Sequence, residues 1–89
     1  MGELRSTVRS IIYRWLNQEL TDQVLKQEIQ KTVNKFGDIP FVFQDIGLVV
    51  MSMKDGIGVE RYERIFQLLD EVEPRIKKDL ENWKKGMAK

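Results

Sequence analysis

Apolar residues recur at steps of three and four over the first sixteen positions of the chain. They are Leu4, Val8, Ile11, Ile12, Trp15 and Leu16. This spacing places them on one face of an amphipathic α-helix. Arg5, Arg9 and Arg14 fall on the other faces. We expect this first helix to end between residues 17 and 20.

A second amphipathic pattern predicts a second helix that begins after Thr21. Thr21 has the side chain of a helix N-cap, and Asp22 would lie in the first turn, where the helix dipole favours negative charge. Gly37 is a natural C-terminal stop. The apolar residues of this helix are Val24, Leu25, Ile29, Val33 and Phe36.

The third segment is apolar nearly all round, and we predict a helix over 39–53 that is buried on most sides. Asp38 would be its cap, and Pro40 would lie in the first turn, where proline gives up no hydrogen bond. Phe41 and Leu48 fall opposite the main apolar face. A β-strand is the competing interpretation, since valine and phenylalanine favour strands, but the chain offers no second strand to pair with it.

The last segment carries a heptad-like apolar stripe from residue 59 to residue 87. Its members are Val59, Tyr62, Phe66, Leu69, Ile76, Leu80, Trp83 and Met87. Four acidic-to-basic pairs at i,i+4 predict a solvated face: Glu60–Arg64, Glu71–Arg75, Glu73–Lys77 and Glu81–Lys85. Pro74 interrupts the stripe. Because two of the pairs straddle Pro74, we predict one kinked helix in preference to two helices.

These patterns predict an all-α fold, a small four-helix bundle with a kinked C-terminal helix, or five helices if the chain breaks at Pro74. Short loops at 17–21, 37–39 and 54–58 favour antiparallel neighbours. We expect one domain over residues 1–85 and a frayed tail over 86–89. The paired glycines Gly56 and Gly58 form a turn, because the other residues of a phosphate-binding loop are missing around them.

Composition excludes several kinds of chemistry. The 89 residues include no cysteine and no histidine, which rules out disulfides, Ser–His–Asp nucleophiles and the commonest zinc ligands. We therefore predict no metal and no cofactor. The most apolar stretch, 39–53, contains Gln44 and Asp45 and is shorter than the roughly 20 residues that cross a bilayer. We expect a cytoplasmic protein that does not enter the membrane.

A nucleic-acid-binding transcriptional regulator is one alternative function. Arg5, Arg9 and Arg14 could contact phosphates, and so could the C-terminal Lys77, Lys78, Lys84 and Lys85. The segments 21–36 and 39–53 also have the lengths of a helix–turn–helix. However, 15 basic residues oppose 14 acidic ones, and the second of these helices offers Phe41, Val42 and Phe43 where base-reading side chains are needed.

A carboxylate-based enzyme is the least favoured alternative. Asp45 lies between the two apolar faces of the third helix. A carboxylate buried there would need an arginine partner, or its pKa would rise, as in some catalytic sites. The simpler expectation is that Asp45 lies at the rim and meets water, Arg9 or Arg14. The enzyme hypothesis requires a deep polar pocket around Asp45.

The favoured hypothesis is a small helical protein-binding domain, a regulator, adaptor or inhibitor without catalysis, with a homodimer as an alternative arrangement. Small helical inhibitors such as bacteriocin immunity proteins share this size and this scarcity of histidine and cysteine, which is an analogy of class. Tight interfaces rest on a few apolar and aromatic anchors. The candidates for partner contact are Phe41, Leu48, Met51, Tyr62 and Trp83.

Overall fold

Six α-helices joined by short turns form the fold in the computed structural model, which describes residues 2–87. They are α1 (Gly2–Leu16), α2 (Asp22–Phe36), α3 (Val42–Ser52), α4 (Lys54–Ile57), α5 (Val59–Val72) and α6 (Arg75–Met87). The all-α prediction is confirmed. The predicted count of four or five helices was too low, because 54–57 forms one helical turn and the chain breaks at Pro74. Residues 88–89 of the predicted frayed tail lie outside the described residues.

The first helix buries its predicted apolar face and ends in a Schellman motif. Gln18 adopts the left-handed conformation, with φ of 63°. Its N–H donates to the carbonyl of Trp15, and the N–H of Glu19 donates to the carbonyl of Arg14 at 2.8 Å. These two bonds satisfy carbonyls that the helix end would leave free. Leu20 then turns back into the core.

The second helix follows the sequence prediction at both ends. The hydroxyl of Thr21 accepts a hydrogen bond from the N–H of Val24 at 3.2 Å, so the predicted N-cap is present. The helix ends at Phe36, and Gly37 is its C-cap. The fully buried Leu25 and Ile29 pack into the core shared with α1 and α5.

The third helix begins three residues later than we predicted, at Val42, and Asp38 does not cap it. The N-cap is Phe41, whose carbonyl accepts the first helical bond from the N–H of Asp45. The physical reason is Pro40. A residue before proline is pushed out of the helical region, so Ile39 could not belong to the first turn.

Pro74 ends one helix and begins another, so the prediction of one kinked helix was wrong. Glu73 is extended, with φ of −151° and ψ of 95°, as the residue before a proline prefers to be. Its carboxylate accepts a hydrogen bond from the N–H of Arg75 at 3.4 Å. Pro74 therefore stands at the start of α6, where its missing N–H costs nothing.

The central element is α3, which contacts α1, α2, α5 and α6. Its closest neighbour is α6, because Gly47 lets the two backbones approach. A Cβ atom built on Gly47 would lie 3.1 Å from the Cβ of Leu80. The helical conformation of this segment excludes the β-strand interpretation. The core also takes in Ile65 and Leu68, which the heptad stripe omitted, whereas Val59 is 55% exposed.

Three of the four ion pairs in residues 2–87 join different helices, and the fourth joins Glu73 to Arg75. None of the four predicted i,i+4 pairs lies within ion-pair distance in residues 2–87. Three ion pairs instead link α5 to α2 and α2 to α1: Arg64–Asp22 at 2.6 Å, Lys26–Glu71 at 3.6 Å and Lys35–Glu3 at 3.2 Å. Ion pairs thus join α2 to both α1 and α5, in addition to the apolar packing between these helices.

Candidate protein-binding surfaces

Three of the predicted contact residues lie along one side of α3. Phe41 is 72% exposed at the start of the helix, and Leu48 and Met51 follow it at helical spacing, partly buried. We call Phe41, Leu48 and Met51 the α3 face. Gln44 and Asp45 lie between these residues in the sequence and are also partly buried. The two other predicted residues, Tyr62 and Trp83, belong to α5 and α6.

Phe41 holds an unusual backbone conformation. Its φ is 63° and its ψ is 26°, in the left-handed region that bulky residues rarely adopt. Such a conformation costs an L-residue about 1–2 kcal/mol. Its side chain nevertheless points largely into solvent, so burial of the ring does not offset that cost.

A cation–π contact between Arg75 and Phe43 braces the first turn of α3. The guanidinium of Arg75 lies 4.4 Å from the centroid of the Phe43 ring. Glu73 holds that guanidinium with two hydrogen bonds, at 2.7 and 2.9 Å. These bonds with Arg75 lower the pKa of the Glu73 carboxyl below its usual range. The start of α6 thus contacts the first turn of α3, immediately after Phe41.

A groove of about 370 Å³ runs between α5 and α6. Its floor is apolar, formed by Tyr62, Phe66 and Leu80, and the rings of Tyr62 and Phe66 meet edge to face at 4.9 Å. Burial raises the pKa of the Tyr62 phenol. Its rims are polar. They comprise Glu63, Gln67 and Asp70 on α5 and Lys77, Glu81 and Lys84 on α6. Trp83 does not line this α5–α6 groove.

A second groove, of about 340 Å³, lies between α1 and the α3–α4 junction. It is lined by Arg9, Tyr13, Ser52, Met53, Gly56 and Ile57. Next to it, Gly58 has φ of 89° and precedes α5. Gly58 lies in the turn predicted for the paired glycines, and its positive φ is the reason that a glycine suits this position. Gly56 lies instead within α4, so the prediction of a turn was wrong at that residue.

The basic residues of the nucleic-acid alternative are exposed, but they fall on helices that do not meet. Arg5, Arg9 and Arg14 belong to α1, and the C-terminal lysines belong to α6. Within residues 2–87, α1 and α6 do not contact each other, and α3 packs against both. The helix that would read bases, α3, buries Val42 and Ile46. No single basic surface in this part of the chain joins the two sets.

Asp45 is partly buried in the first turn of α3, where the helix dipole favours a carboxylate. It lines neither of the two grooves described above. In the part of the chain that the structure describes, it forms no ion pair with Arg9 or Arg14. No group of three acidic side chains in that part converges as a metal site would need.

The sequence interpretation missed a polar network that joins α1, α2 and α5. The indole N–H of Trp15 donates to one oxygen of Asp22 at 2.8 Å, and Arg64 donates to the other at 2.6 Å. Together, the bond from Trp15 and the bond from Arg64 lower the pKa of the Asp22 carboxyl. Trp15 was the residue that could have indicated this network, because a partly buried indole N–H usually finds a hydrogen-bond acceptor.

Replacing Asp22 with asparagine should make stability less sensitive to acid. The folded-state pKa of Asp22 lies below its unfolded value of about 3.9, so its contribution is complete above that value and disappears as pH falls through the folded pKa. Because the carboxylate is 45% exposed, we expect a difference of only about 0.5–1 kcal/mol at pH 7. Urea denaturation from neutral pH to below pH ~3 should show that the difference in free energy of unfolding between the two proteins shrinks as the pH falls. A difference that stays constant would contradict this prediction.

Comparison of the chain with protein-family models, with curated proteins and with solved structures finds no match. Among residues 2–87, no helix has both the length and the apolar composition that crossing a membrane requires.

Proposed function

We propose that this chain acts by binding another protein, as a regulator, adaptor or inhibitor without catalysis, and that the α3 face is its contact surface. The observation that supports the proposal most is Phe41. Its ring is 72% exposed, and its backbone is in the left-handed conformation. Strained residues of this kind cluster at functional sites, and Phe41, unlike Gln18, does not close a helix end with its N–H.

The side chain at position 41 does little for the folded monomer. The ring contributes little to the core because most of it faces solvent, and glycine would adopt the same backbone conformation without strain. An exposed aromatic ring on a fixed backbone is, however, the kind of anchor on which interface affinity depends. The contact of Arg75 with Phe43, two residues after Phe41, helps to order the first turn of α3, and order present before binding lowers the entropy lost on binding.

The residues that follow Phe41 along α3 fit the same use. Leu48 and Met51 are partly exposed apolar side chains, and the flexible thioether of methionine adapts to different partner surfaces. The polar Gln44 and Asp45 lie close to them on the helix. An apolar centre with a polar rim is the usual anatomy of a protein interface.

The test is capture of partners from the cell of origin by Phe41→Asp compared with the unchanged protein. We expect the partner to be lost from the Phe41→Asp sample, because an aspartate cannot fill an apolar pocket. Val59→Asp is the matched control, since Val59 is also apolar and 55% exposed but lies at the start of α5. Quantitative mass spectrometry of the captured proteins provides the measurement.

Phe41→Gly separates binding from folding. It removes the ring and also relieves the left-handed strain, so its free energy of unfolding should equal or exceed that of the unchanged protein. It should still fail to capture the partner. If Phe41→Asp, Phe41→Gly and Val59→Asp all capture the same proteins as the unchanged chain, the α3 face is not the contact surface.

A further inference from the structure

We propose that the α5–α6 groove binds a second copy of this chain, with the two-fold axis parallel to α5 and α6. This surface is separate from the α3 face, and the inference goes beyond the proposed function. It rests on the arrangement of charges along the two rims of the groove.

An acidic pair on the α5 rim and a basic pair on the α6 rim each repeat at heptad spacing, and Glu81 lies between the two lysines. On α5, Glu63 and Asp70 are seven residues apart, and on α6, Lys77 and Lys84 are also seven apart; all four line the groove. Seven residues of helix rise about 10.5 Å, so the acidic and basic pairs have equal lengths. Because a two-residue connection joins α5 to α6, the helices run antiparallel. Glu63 therefore lies at the level of Lys84, and Asp70 at the level of Lys77.

A two-fold rotation about an axis along the helices keeps these levels and places α5 of one copy opposite α6 of the other. Glu63 then meets Lys84 of the second copy, and Asp70 meets Lys77 of the second copy. Between them, the amide of Gln67 is placed to donate to Glu81 of the second copy. An axis across the helices would instead oppose acid to acid and base to base. The charge pattern thus selects one orientation of the dimer.

These charges are available for such contacts. In residues 2–87, none of Glu63, Asp70, Lys77 and Lys84 belongs to an ion pair within the chain. The groove floor adds only a little apolar surface, mainly from the partly buried Tyr62, because Phe66 and Leu80 are already buried within the chain. The net charge of +1 leaves little repulsion between copies. Two helices of about 10 Å width and 20 Å length cover about 400 Å² on each copy. That area is typical of weak, transient interfaces, so association should depend on concentration.

Charge reversal tests the proposal. The double variant Glu63→Lys/Asp70→Lys makes both rims basic, and Lys77→Glu/Lys84→Glu makes both rims acidic. Sedimentation equilibrium from about 1 μM to about 1 mM covers the dissociation constants of small interfaces. We expect the unchanged chain to dimerise and each double variant alone to associate at least about tenfold more weakly. An equimolar mixture of the two variants should restore dimers.

Matched controls carry the same change in net charge elsewhere. Glu19→Lys/Asp38→Lys and Lys31→Glu/Lys78→Glu alter exposed residues that do not line the groove, and both should dimerise like the unchanged chain. A monomeric unchanged chain at all concentrations, double variants that still dimerise, or a mixture that stays monomeric would each overturn the proposal. Capture of a partner through Phe41 is measured separately, so either proposal can fail while the other stands.

Discussion

Gly47→Leu is expected to lower the free energy of unfolding by about 3 kcal/mol, or to prevent folding altogether. Gly47 lies where α3 crosses α6. A Cβ at this position would be 3.1 Å from the Cβ of Leu80 and 3.5 Å from the carbonyl oxygen of Ile76. A leucine adds three further carbons at a point that is already closed. Overpacking a core commonly costs about 1–3 kcal/mol, and here the obstacle includes backbone that can move only with the whole of α6.

Urea denaturation followed by tryptophan fluorescence measures this loss. A chain of this length has a stability on the order of 5–10 kcal/mol, so a loss of about 3 kcal/mol would shift the midpoint strongly. The urea midpoint of Gly47→Ala should lie between those of Gly47→Leu and the unchanged protein, because a single methyl requires a shift of only a few tenths of an ångström. Gly56→Leu is the control: Gly56 is also helical, and a Cβ atom at that position would have nothing within 4 Å. Equal midpoints for Gly47→Leu and Gly56→Leu would contradict the close crossing.

Helical periodicity and capping preferences predicted the parts of the fold that depend on residues close together in the sequence. The face of α1 that contains Leu4 and Val8 is buried, and Thr21 caps α2 as expected. The start of α3 was misplaced because the cap propensity of Asp38 was weighed above the restriction that Pro40 imposes on the residue before it. At Pro74 the same restriction acts on Glu73, and the two-helix result follows from it.

Contacts between residues far apart in the sequence could not be predicted from the pattern of apolar and charged positions. Gly47 carries no apolar signal, yet it sets the distance between α3 and α6. Arg64 has Glu60 four residues before it, yet it pairs with Asp22 of α2, because a tertiary partner competes with the weak i,i+4 interaction. The candidate surfaces show the same division. The face of α3 that holds Phe41 could be predicted, but the left-handed backbone and the groove rims could not.

Ile46→Ala is expected to cost about 3 kcal/mol, a loss comparable to that from Gly47→Leu. Ile46 is fully buried in α3, and α3 contacts α1, α2, α5 and α6. Removing three carbons there loses their transfer free energy and leaves a cavity that packed helices cannot fill, a combination that typically costs about 2–5 kcal/mol. The melting temperature should fall by more than about 10 °C in a domain of this size.

Leu48→Ala is the matched comparison for Ile46→Ala, because the two substitutions remove the same number of carbons two positions apart on the same helix. Leu48 is only partly buried, so its loss should cost about half as much, in proportion to the apolar area taken out of water. Thermal denaturation of both variants measures the two costs. Equal costs would mean that the α3 face is buried as deeply as the opposite side of the helix, and Leu48 would then have little surface left for a partner. A small cost for Leu48→Ala together with weaker partner capture would place Leu48 beside Phe41 in the interface.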